Sequence, residues 1–237
     1  MIQVKRQPIQ FKSIWFYCPI LLFALCAIHW GSEAVTTISQ RILPGRGVCI
    51  IVDAGHGGED GGATSCSGVL ESQFNLEIAL RLNDLLQFMG YDTKMVRTTD
   101  SAVHTEGETI AARKRSDLNN RVRLVNTTEN ALLISIHQNT FPDGRYSGPQ
   151  VFFAKGSEQM AKHFQIILNR SLSPKSSRQA KPAKGVYLME HISAPGILIE
   201  CGFLSNPQEE AKLRDPSYQQ KISCVIVSAL CEYLSNT

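Results

Sequence analysis

Hydrophobic residues recur with two alternating periods along the chain after residue 46. Short apolar runs bounded by glycine or polar residues predict buried strands, and apolar positions repeated every three or four residues predict helices. The predicted strands are residues 48–54, 91–97, 131–137, 150–154, 186–189 and 196–200. The predicted helices are residues 72–89, 112–125, 157–172 and 219–234. Residues 99–112 and 173–184 have no such period and predict surface loops.

Strands separated by helices predict an α/β fold, a three-layer sandwich with a mainly parallel or mixed sheet flanked by helices. The sequence contains no internal repeat. In open α/β sheets, ligands bind beyond the carboxyl ends of the strands, because the loops there converge on a crevice. We therefore expect the functional residues at the ends of the predicted strands.

Residues 14–30 are apolar apart from His29 and follow three basic residues, Lys5, Arg6 and Lys12. A basic flank before an apolar run is typical of export, so residues 1–34 are interpreted as either a signal peptide or a membrane anchor. Ser32 and Ala34 would make a poor cleavage site, and a buried helix of a soluble protein remains the alternative. Residues 35–46 are then a linker and residues 47–237 the globular body. The expected location is outside the cytoplasm, either anchored in the membrane by residues 14–30 or secreted.

The net charge of +3 comes from the leader, which holds three of the 24 basic residues. The remaining basic residues equal the 21 acidic ones in number, so the body has no charge excess that would favour nucleic acid. Five of the seven cysteines lie outside the leader and none forms a CxxC pair. This pattern indicates neither a disulfide framework nor a cysteine zinc site.

Residues with candidate chemistry lie at the ends of predicted strands. His56 lies among glycines after the first strand, His137 ends another, and Glu71 begins the first helix. Two imidazoles and one carboxylate are typical ligands of a catalytic zinc ion, which keeps a fourth position for water. Glu200, at the end of the strand 196–200, could accept a proton from that water and pass it to a departing amine.

Each of these residues also has a structural interpretation. Strand-end histidines are often packing residues, Glu71 could be a helix-start acid, and Glu200 could pair with a buried arginine. Spacing alone does not exclude three other acids as ligands, namely Glu59, Asp60 and Glu77.

The sequence indicates the roles of the remaining candidate residues less clearly. Asn139 could bind substrate or cap a loop, while Arg97 and Arg121 are interpreted as surface or structural partners rather than substrate clamps. The glycine-rich residues 55–62 lack the Gly-Lys-Ser/Thr ending of a phosphate-binding loop, so phosphate binding is not expected.

Four motifs together resemble the zinc-dependent N-acetylmuramoyl-L-alanine amidase family, the type 3 cell-wall amidases. They are IVDAGHGGEDGGA (51–63), LESQFNLEIALRL (70–82), LISIHQN (133–139) and ILIECGFLSNPQEEAKL (197–213). The resemblance covers essentially the whole chain after the leader. It implies hydrolysis of the amide between N-acetylmuramic acid and L-alanine in peptidoglycan.

The resemblance also implies roles for individual residues. The family's zinc ligands fall on His56, Glu71 and His137, with one zinc ion per chain, and its catalytic glutamate falls on Glu200. Glu71 is preferred over the other acids because the family's ligand precedes an Asn-Leu pair by four residues. Cys201 departs from the family pattern, and its thiol could ligate zinc or be oxidised.

A narrower resemblance is to the germination-specific, spore-cortex branch of that family. It rests on RKRSDLNNRVRLVN (113–126), SGPQVFF (147–153) and GVYLMEHISAPGILIECGFLSNP (185–207). The branch implies release of stem peptides so that muramic-δ-lactam can form, and the resemblance implies the cell wall or spore envelope as the destination of the exported protein. A vegetative cell-wall amidase, a catalytically silent wall-binding or regulatory domain, and a carboxypeptidase-like enzyme remain alternatives. Dependence on an activating protein also stays open.

Overall fold

The computed structural model describes residues 47–236 together with Cys26. The predicted leader and linker otherwise lie outside the described residues. Within residues 47–236 the chain forms six strands and six helices. The strands are β1 (Cys49–Ala54), β2 (Asp92–Met95), β3 (Ala131–Asn139), β4 (Gln150–Phe153), β5 (Lys181–Pro182) and β6 (Gly196–Phe203).

One mixed sheet contains all six strands in the order β2-β1-β3-β6-β4-β5. Strands β2, β1, β3 and β6 are parallel, and β4 runs antiparallel to β6. The parallel pairs place Asp53 beside Ser135 and His137 beside Glu200. The chemically important ends of β1, β3 and β6 therefore meet at one edge, as predicted.

Helices cover both faces of the sheet and complete the three-layer sandwich. The helices are α1 (Glu71–Phe88), α2 (Ile110–Thr127), α3 (Glu158–Leu172), α4 (Tyr187–His191), α5 (Pro207–Leu213) and α6 (Pro216–Ser235). Helices α1, α3 and α6 form one layer, α2 and α4 form the other, and α5 contacts β6 and α6. The predicted fold class is confirmed.

The core lies on both sides of β1, β3 and β6. Phe74, Ile78 and Leu82 of α1 recur every four residues, and all three are buried. On the opposite face, Leu133 and Leu198 pack with buried residues of α2 and α4. Because apolar side chains cover both faces, the central strands are almost continuously hydrophobic in sequence.

One predicted element was wrong, and two short elements were missed, namely helix α5 and strand β5 within the predicted loop 173–184. Residues 186–189 were expected to form a strand, but Tyr187–His191 is a helical turn that packs Leu188 and Met189 against α2. A short apolar run does not separate a strand from a buried helix, so packing decides between them here. Helix α5 was missed, although Asn206 before Pro207 is a helix-start signal and its side chain accepts bonds from two backbone N–H groups.

None of the helices within the described residues has the length and apolar character needed to cross a membrane.

Candidate metal centre

His56, Glu71 and His137 converge at the carboxyl edge of the sheet. Nε2 of His56 lies 3.3 Å from one carboxylate oxygen of Glu71, and Nδ1 of His137 lies 3.0 Å from the other. The two imidazole rings are edge to face, with centroids 5.0 Å apart. One donor atom from each residue lies within 4.8 Å of the others, so the three residues could hold a metal ion. This is the set of residues that the sequence resemblance implied.

Small residues are required next to this cluster. A Cβ atom on Gly55 would overlap the imidazole ring of His137. At Gly62, where φ is +68°, it would lie 2.6 Å from the carboxylate of Glu71 and 2.7 Å from Cδ2 of His56. A larger residue at either position would clash with the donor side chains, so glycine is what lets the loop lie this close to them.

His56 itself has a left-handed backbone, with φ of 60°. Non-glycine residues rarely adopt this conformation unless surrounding contacts impose it. Two buried arginines provide those contacts. Arg97 donates to the carbonyl oxygens of Ala54 and Gly55, and Arg121 donates to those of Ala54 and His56.

Arg121 is itself held by buried acids. It pairs with Asp53 on β1 and with Asp117 one turn earlier on α2, and Asp53 also accepts from the Ser135 hydroxyl at 2.6 Å. Burial alone would raise the pKa of Asp53, but the guanidinium of Arg121 and the hydroxyl of Ser135 hold it below its usual value. Arg97 and Arg121 are therefore structural partners, as the sequence indicated, but they are buried rather than on the surface.

Glu71 is oriented by its own neighbours on α1 and β3. Oε1 of Glu71 accepts from the backbone N–H of Gln138 at 3.1 Å and from the side chain of Asn75 at 3.2 Å. Gln138 in turn donates to Asn75. Burial would raise the pKa of Glu71, but hydrogen bonds to His137 and His56 lower it strongly, so the carboxylate is ionised and ready to bind a cation.

The supporting roles of Asn75 and Gln138 were not predicted from the sequence. One signal was available for Asn75, which lies four residues after Glu71 and therefore on the same face of α1.

Of the three acids that spacing left open, two have partners outside the cluster and the third contacts a donor residue. Glu59 pairs with Arg113, and Glu77 accepts from Gln219 on α6. Asp60 lies 3.0 Å from Nδ1 of His56 and 3.2 Å from Nζ of Lys114. Asp60 thus contacts the ring nitrogen of His56 that faces away from Glu71, where a carboxylate orients an imidazole ligand.

Glu200 lies beside His137 on the neighbouring strand. Its Oε2 atom is shielded from solvent and has no hydrogen-bond partner within the described residues. Burial, and then the charge of Glu71, raise the pKa of Glu200 well above its usual value. Among the described residues, no arginine pairs with Glu200 as the sequence had suggested. The two buried arginines, Arg97 and Arg121, bind backbone carbonyl oxygens in the loop after β1 instead. A carboxylate whose pKa is raised is a stronger base than a free one, which suits a group that accepts a proton.

Cys201 does not contribute a donor atom to the cluster. Its thiol is buried, 3.8 Å from the carbonyl oxygen of Ile199, and burial raises its pKa. A buried, protonated thiol is a poor metal ligand and is hard to oxidise, so both sequence expectations for Cys201 are disfavoured.

Asn139 is half-buried at the end of β3. Its backbone carbonyl accepts from Leu204 at 2.8 Å, which ties β3 to the turn after β6. Its side chain forms no hydrogen bond among residues 47–236, so the side chain is free to meet a ligand.

A cavity of about 440 Å³ opens beside His56 and His137. Its base includes Asp53, Ser135 and Leu198, and its walls come from α2 and from residues 185–188. The stretch that carries the narrower resemblance therefore shapes this wall. Charged and polar side chains, Arg113 and Lys114 among them, form much of the lining, and apolar side chains such as Leu118 contribute the rest.

The arrangement suits hydrolysis of an amide. A divalent cation bound by the three donors would polarise a carbonyl oxygen and acidify water. Glu200 can take up a proton at its shielded carboxylate oxygen and deliver it to a leaving nitrogen, as general acid–base catalysis requires. The cavity beside the histidines offers space for substrate, and the buried arginines bind the backbone of the His56 loop.

Comparison with known proteins gives a family. The family profile described as N-acetylmuramoyl-L-alanine amidase matches residues 50–232. The match includes all three donor residues and Glu200, and it confirms the resemblance drawn from the four sequence motifs.

Individual proteins that are similar to this chain are also amidases. The germination-specific N-acetylmuramoyl-L-alanine amidase of Bacillus subtilis is 41% identical over 197 residues, which are 81% of this chain and 82% of that protein. The CwlD amidase from Clostridioides difficile, solved in complex with the GerS lipoprotein, is 35% identical with a TM-score of 0.77 over 80% of this chain and 100% of that one. An N-acetylmuramoyl-L-alanine amidase from Clostridium difficile 630 is 28% identical, with a TM-score of 0.67 over 79% and 97%.

Proposed function

The chain belongs to the N-acetylmuramoyl-L-alanine amidase family, and from that membership we propose that it is a zinc enzyme of the spore cortex. In this proposal it hydrolyses the amide between N-acetylmuramic acid and L-alanine in peptidoglycan. The observation that carries the proposal is the cluster of His56, Glu71 and His137 beside the shielded carboxyl of Glu200.

Zinc is the cation that this donor set favours. Two imidazoles and one carboxylate are a frequent ligand set of catalytic zinc, whereas magnesium and calcium prefer oxygen ligands only. The ionised state of Glu71 and the carboxylate beside Nδ1 of His56 both support binding of a cation. We assign the ligands to His56, Glu71 and His137, and proton transfer to Glu200. The half-buried Asn139 is assigned to substrate binding.

Product analysis tests the reaction. Purified full-length protein is incubated with peptidoglycan, with and without a chelator, and the products are identified by mass spectrometry. Release of intact stem peptides, leaving free lactyl groups on muramic acid, is expected, and chelation should stop it. Shortened peptides that remain attached to the glycan would show a peptidase instead, and a lack of products would indicate a binding domain.

The cortex role rests on the narrower resemblance and on the relative that is germination-specific. Residues 185–188 of that stretch line the cavity beside the two histidines, so the stretch lies where substrate choice would be made.

Export is proposed from residues 1–34, with the catalytic body beginning at residue 47. A fusion of residues 1–46 to a reporter should place the reporter outside the membrane. A mature N-terminus at Val35 would identify a cleaved signal peptide, and an uncleaved fusion in the membrane fraction would identify an anchor. A reporter in the cytoplasm would contradict export.

A lipoprotein partner is proposed by analogy with the solved complex of the CwlD amidase. The full-length protein would then have low activity by itself and gain activity when a lipoprotein from the same cell envelope is added. Full activity of the purified protein without a partner would contradict this dependence.

A further inference from the structure

Two aromatic side chains near the catalytic edge are about half exposed. Phe141 is 47% exposed and Tyr146 is 46% exposed, and their rings meet edge to face with centroids 4.6 Å apart. Both lie in the loop of residues 140–149, which follows directly after β3 and its ligand His137. Two exposed rings in contact form a small contiguous apolar patch, and contiguous apolar patches are a feature of ligand-binding surfaces.

The rings are held firmly in this position. The backbone N–H of Phe141 donates to the hydroxyl of Ser205 at 3.0 Å, and the carbonyl oxygen of Tyr146 accepts from Asn206 at 3.2 Å. Glu209 accepts from the backbone of both Gly148 and Phe203, which joins the end of the loop to β6. Several polar contacts thus fix a loop that keeps two rings half exposed to solvent.

The pair is also close to the catalytic strand. The Tyr146 ring packs on the buried ring of Phe203 at a centroid distance of 6.1 Å. Phe203 is three residues beyond Glu200 on β6, about 10 Å along the strand. A polymer that is bound at the metal centre by one unit would reach the rings with the units next to it.

We propose that Phe141 and Tyr146 form a sugar-binding platform for the glycan strand on the muramyl side of the cleaved amide. This inference rests on the proposed amidase function, because the family's substrate supplies the glycan. Pyranose rings present apolar C–H faces to aromatic rings and hydroxyl groups to polar neighbours. The Tyr146 hydroxyl, which forms no hydrogen bond among the described residues, provides such a neighbour. The exposed Arg145, whose guanidinium pairs with Asp143, provides a second.

A protein partner fits this surface less well than a sugar. Stable protein interfaces bury about 800 Å² on each partner, and two half-exposed rings of neighbouring loop residues supply only a small part of that area. A sugar ring is of similar size to an aromatic ring, so two rings suffice for one or two sugar units.

Kinetics on two substrates test the platform. Phe141→Ala, Tyr146→Ala and the double variant are compared in the full-length protein, on peptidoglycan polymer and on N-acetylmuramoyl-peptide that lacks neighbouring sugars. We expect KM for the polymer to rise about 3- to 10-fold for each ring removed, with kcat and the small substrate unaffected. Phe88→Ala is the matched control. Phe88 is 86% exposed and ends α1, about 25 Å from Glu71 along the helix.

Equal losses on both substrates, or no loss on the polymer, would overturn the proposal. Phe141→Leu and Tyr146→Leu keep apolar volume without a ring, so they should behave like the alanine variants if stacking is the cause. Unchanged kinetics on both substrates with a lost response to a lipoprotein partner would assign the rings to protein binding and also overturn the proposal.

A binding measurement separates this inference from the amidase function. The full-length protein is sedimented with peptide-free glycan strands, and the double variant should bind them about 10- to 100-fold more weakly. Wild-type protein that binds these strands but cleaves neither substrate would refute the amidase function and leave the platform standing. Wild-type protein that cleaves polymer but binds the strands no better than the double variant would refute the platform and leave the amidase function standing.

Discussion

Arg121 on helix α2 donates a hydrogen bond of 2.8 Å to the backbone carbonyl oxygen of His56. A buried charge on one helical layer thereby supports the left-handed backbone of a candidate metal ligand in the loop after β1. The same guanidinium group binds the carboxylate of Asp53, so a single side chain joins the core of the sheet to the metal centre. The geometry of the centre should therefore depend on a residue that contributes no donor atom.

Replacement of Arg121 by lysine tests this dependence. Lysine keeps the charge near Asp53 but lacks the planar fork that reaches two carbonyl oxygens. We expect the free energy of unfolding to fall by about 1–3 kcal/mol and zinc to be held less tightly in competition with a chelator. Arg123→Lys, at an exposed position on the same helix, is the control. Equal zinc affinity in the two variants would mean that Arg121 supports only the fold.

Glu71 and Glu200 should differ when each is replaced by glutamine. Glu71→Gln removes the charged donor between the two histidines, so zinc content measured after dialysis should fall below one ion per chain. Glu200→Gln leaves the three donors in place, so zinc content should stay near one while turnover falls about 10²- to 10⁴-fold. Loss of metal to the same extent in both variants would refute this division of roles.

The stability of the metal-free protein should depend on pH because the pKa of Glu200 is raised in the folded state. Its folded-state pKa is above the unfolded value because of burial and the charge of Glu71. The carboxyl group therefore contributes stability that is fully present below about pH 4 and is lost as pH rises through the folded pKa. Glu200→Gln does not titrate, so its melting temperature relative to wild type should increase with pH.

The measurement is a series of thermal melts of metal-free wild type and Glu200→Gln between pH 4 and pH 8. Glu106→Gln, at an exposed position, controls for the loss of a carboxyl group. A constant difference across this range, or one that shrinks as pH rises, would show that Glu200 is not destabilised by ionisation in the folded protein.

The sequence predicted the fold class and the meeting of the donor residues for a simple physical reason. Apolar runs mark the buried strands of a parallel sheet, and the carboxyl ends of parallel strands meet at one edge. Residues at the ends of β1 and β3, such as His56 and His137, are therefore brought together by topology alone. The choice of Glu71 among several nearby acids came from the family resemblance and not from spacing.

Contacts between residues that are far apart in the chain could not be predicted from the sequence. The positive φ of His56 depends on Arg97 and Arg121, which are 41 and 65 positions away in the chain. Residues 187–191 form a helix because Leu188 and Met189 pack on α2, and a run of five residues does not contain that information. The raised pKa of Glu200 likewise depends on burial and on Glu71, which are known only from the folded protein.

The cortex role can be tested by complementation in a Bacillus subtilis strain that lacks its germination-specific amidase. Peptide removal has to precede lactam formation, because the lactyl carboxyl group of muramic acid must be free before the amine of the same sugar can close onto it. If this chain performs that step, its expression during sporulation should restore muramic-δ-lactam to the cortex, measured by mass spectrometry of digested spore peptidoglycan. The Glu200→Gln variant should be produced at the same level and restore none.

Restored lactam would also require that the chain reaches the cortex, so the experiment tests export together with catalysis. Cortex without lactam, in spores where the wild-type chain is present and releases stem peptides from vegetative wall, would make this protein a vegetative wall amidase with the same metal centre.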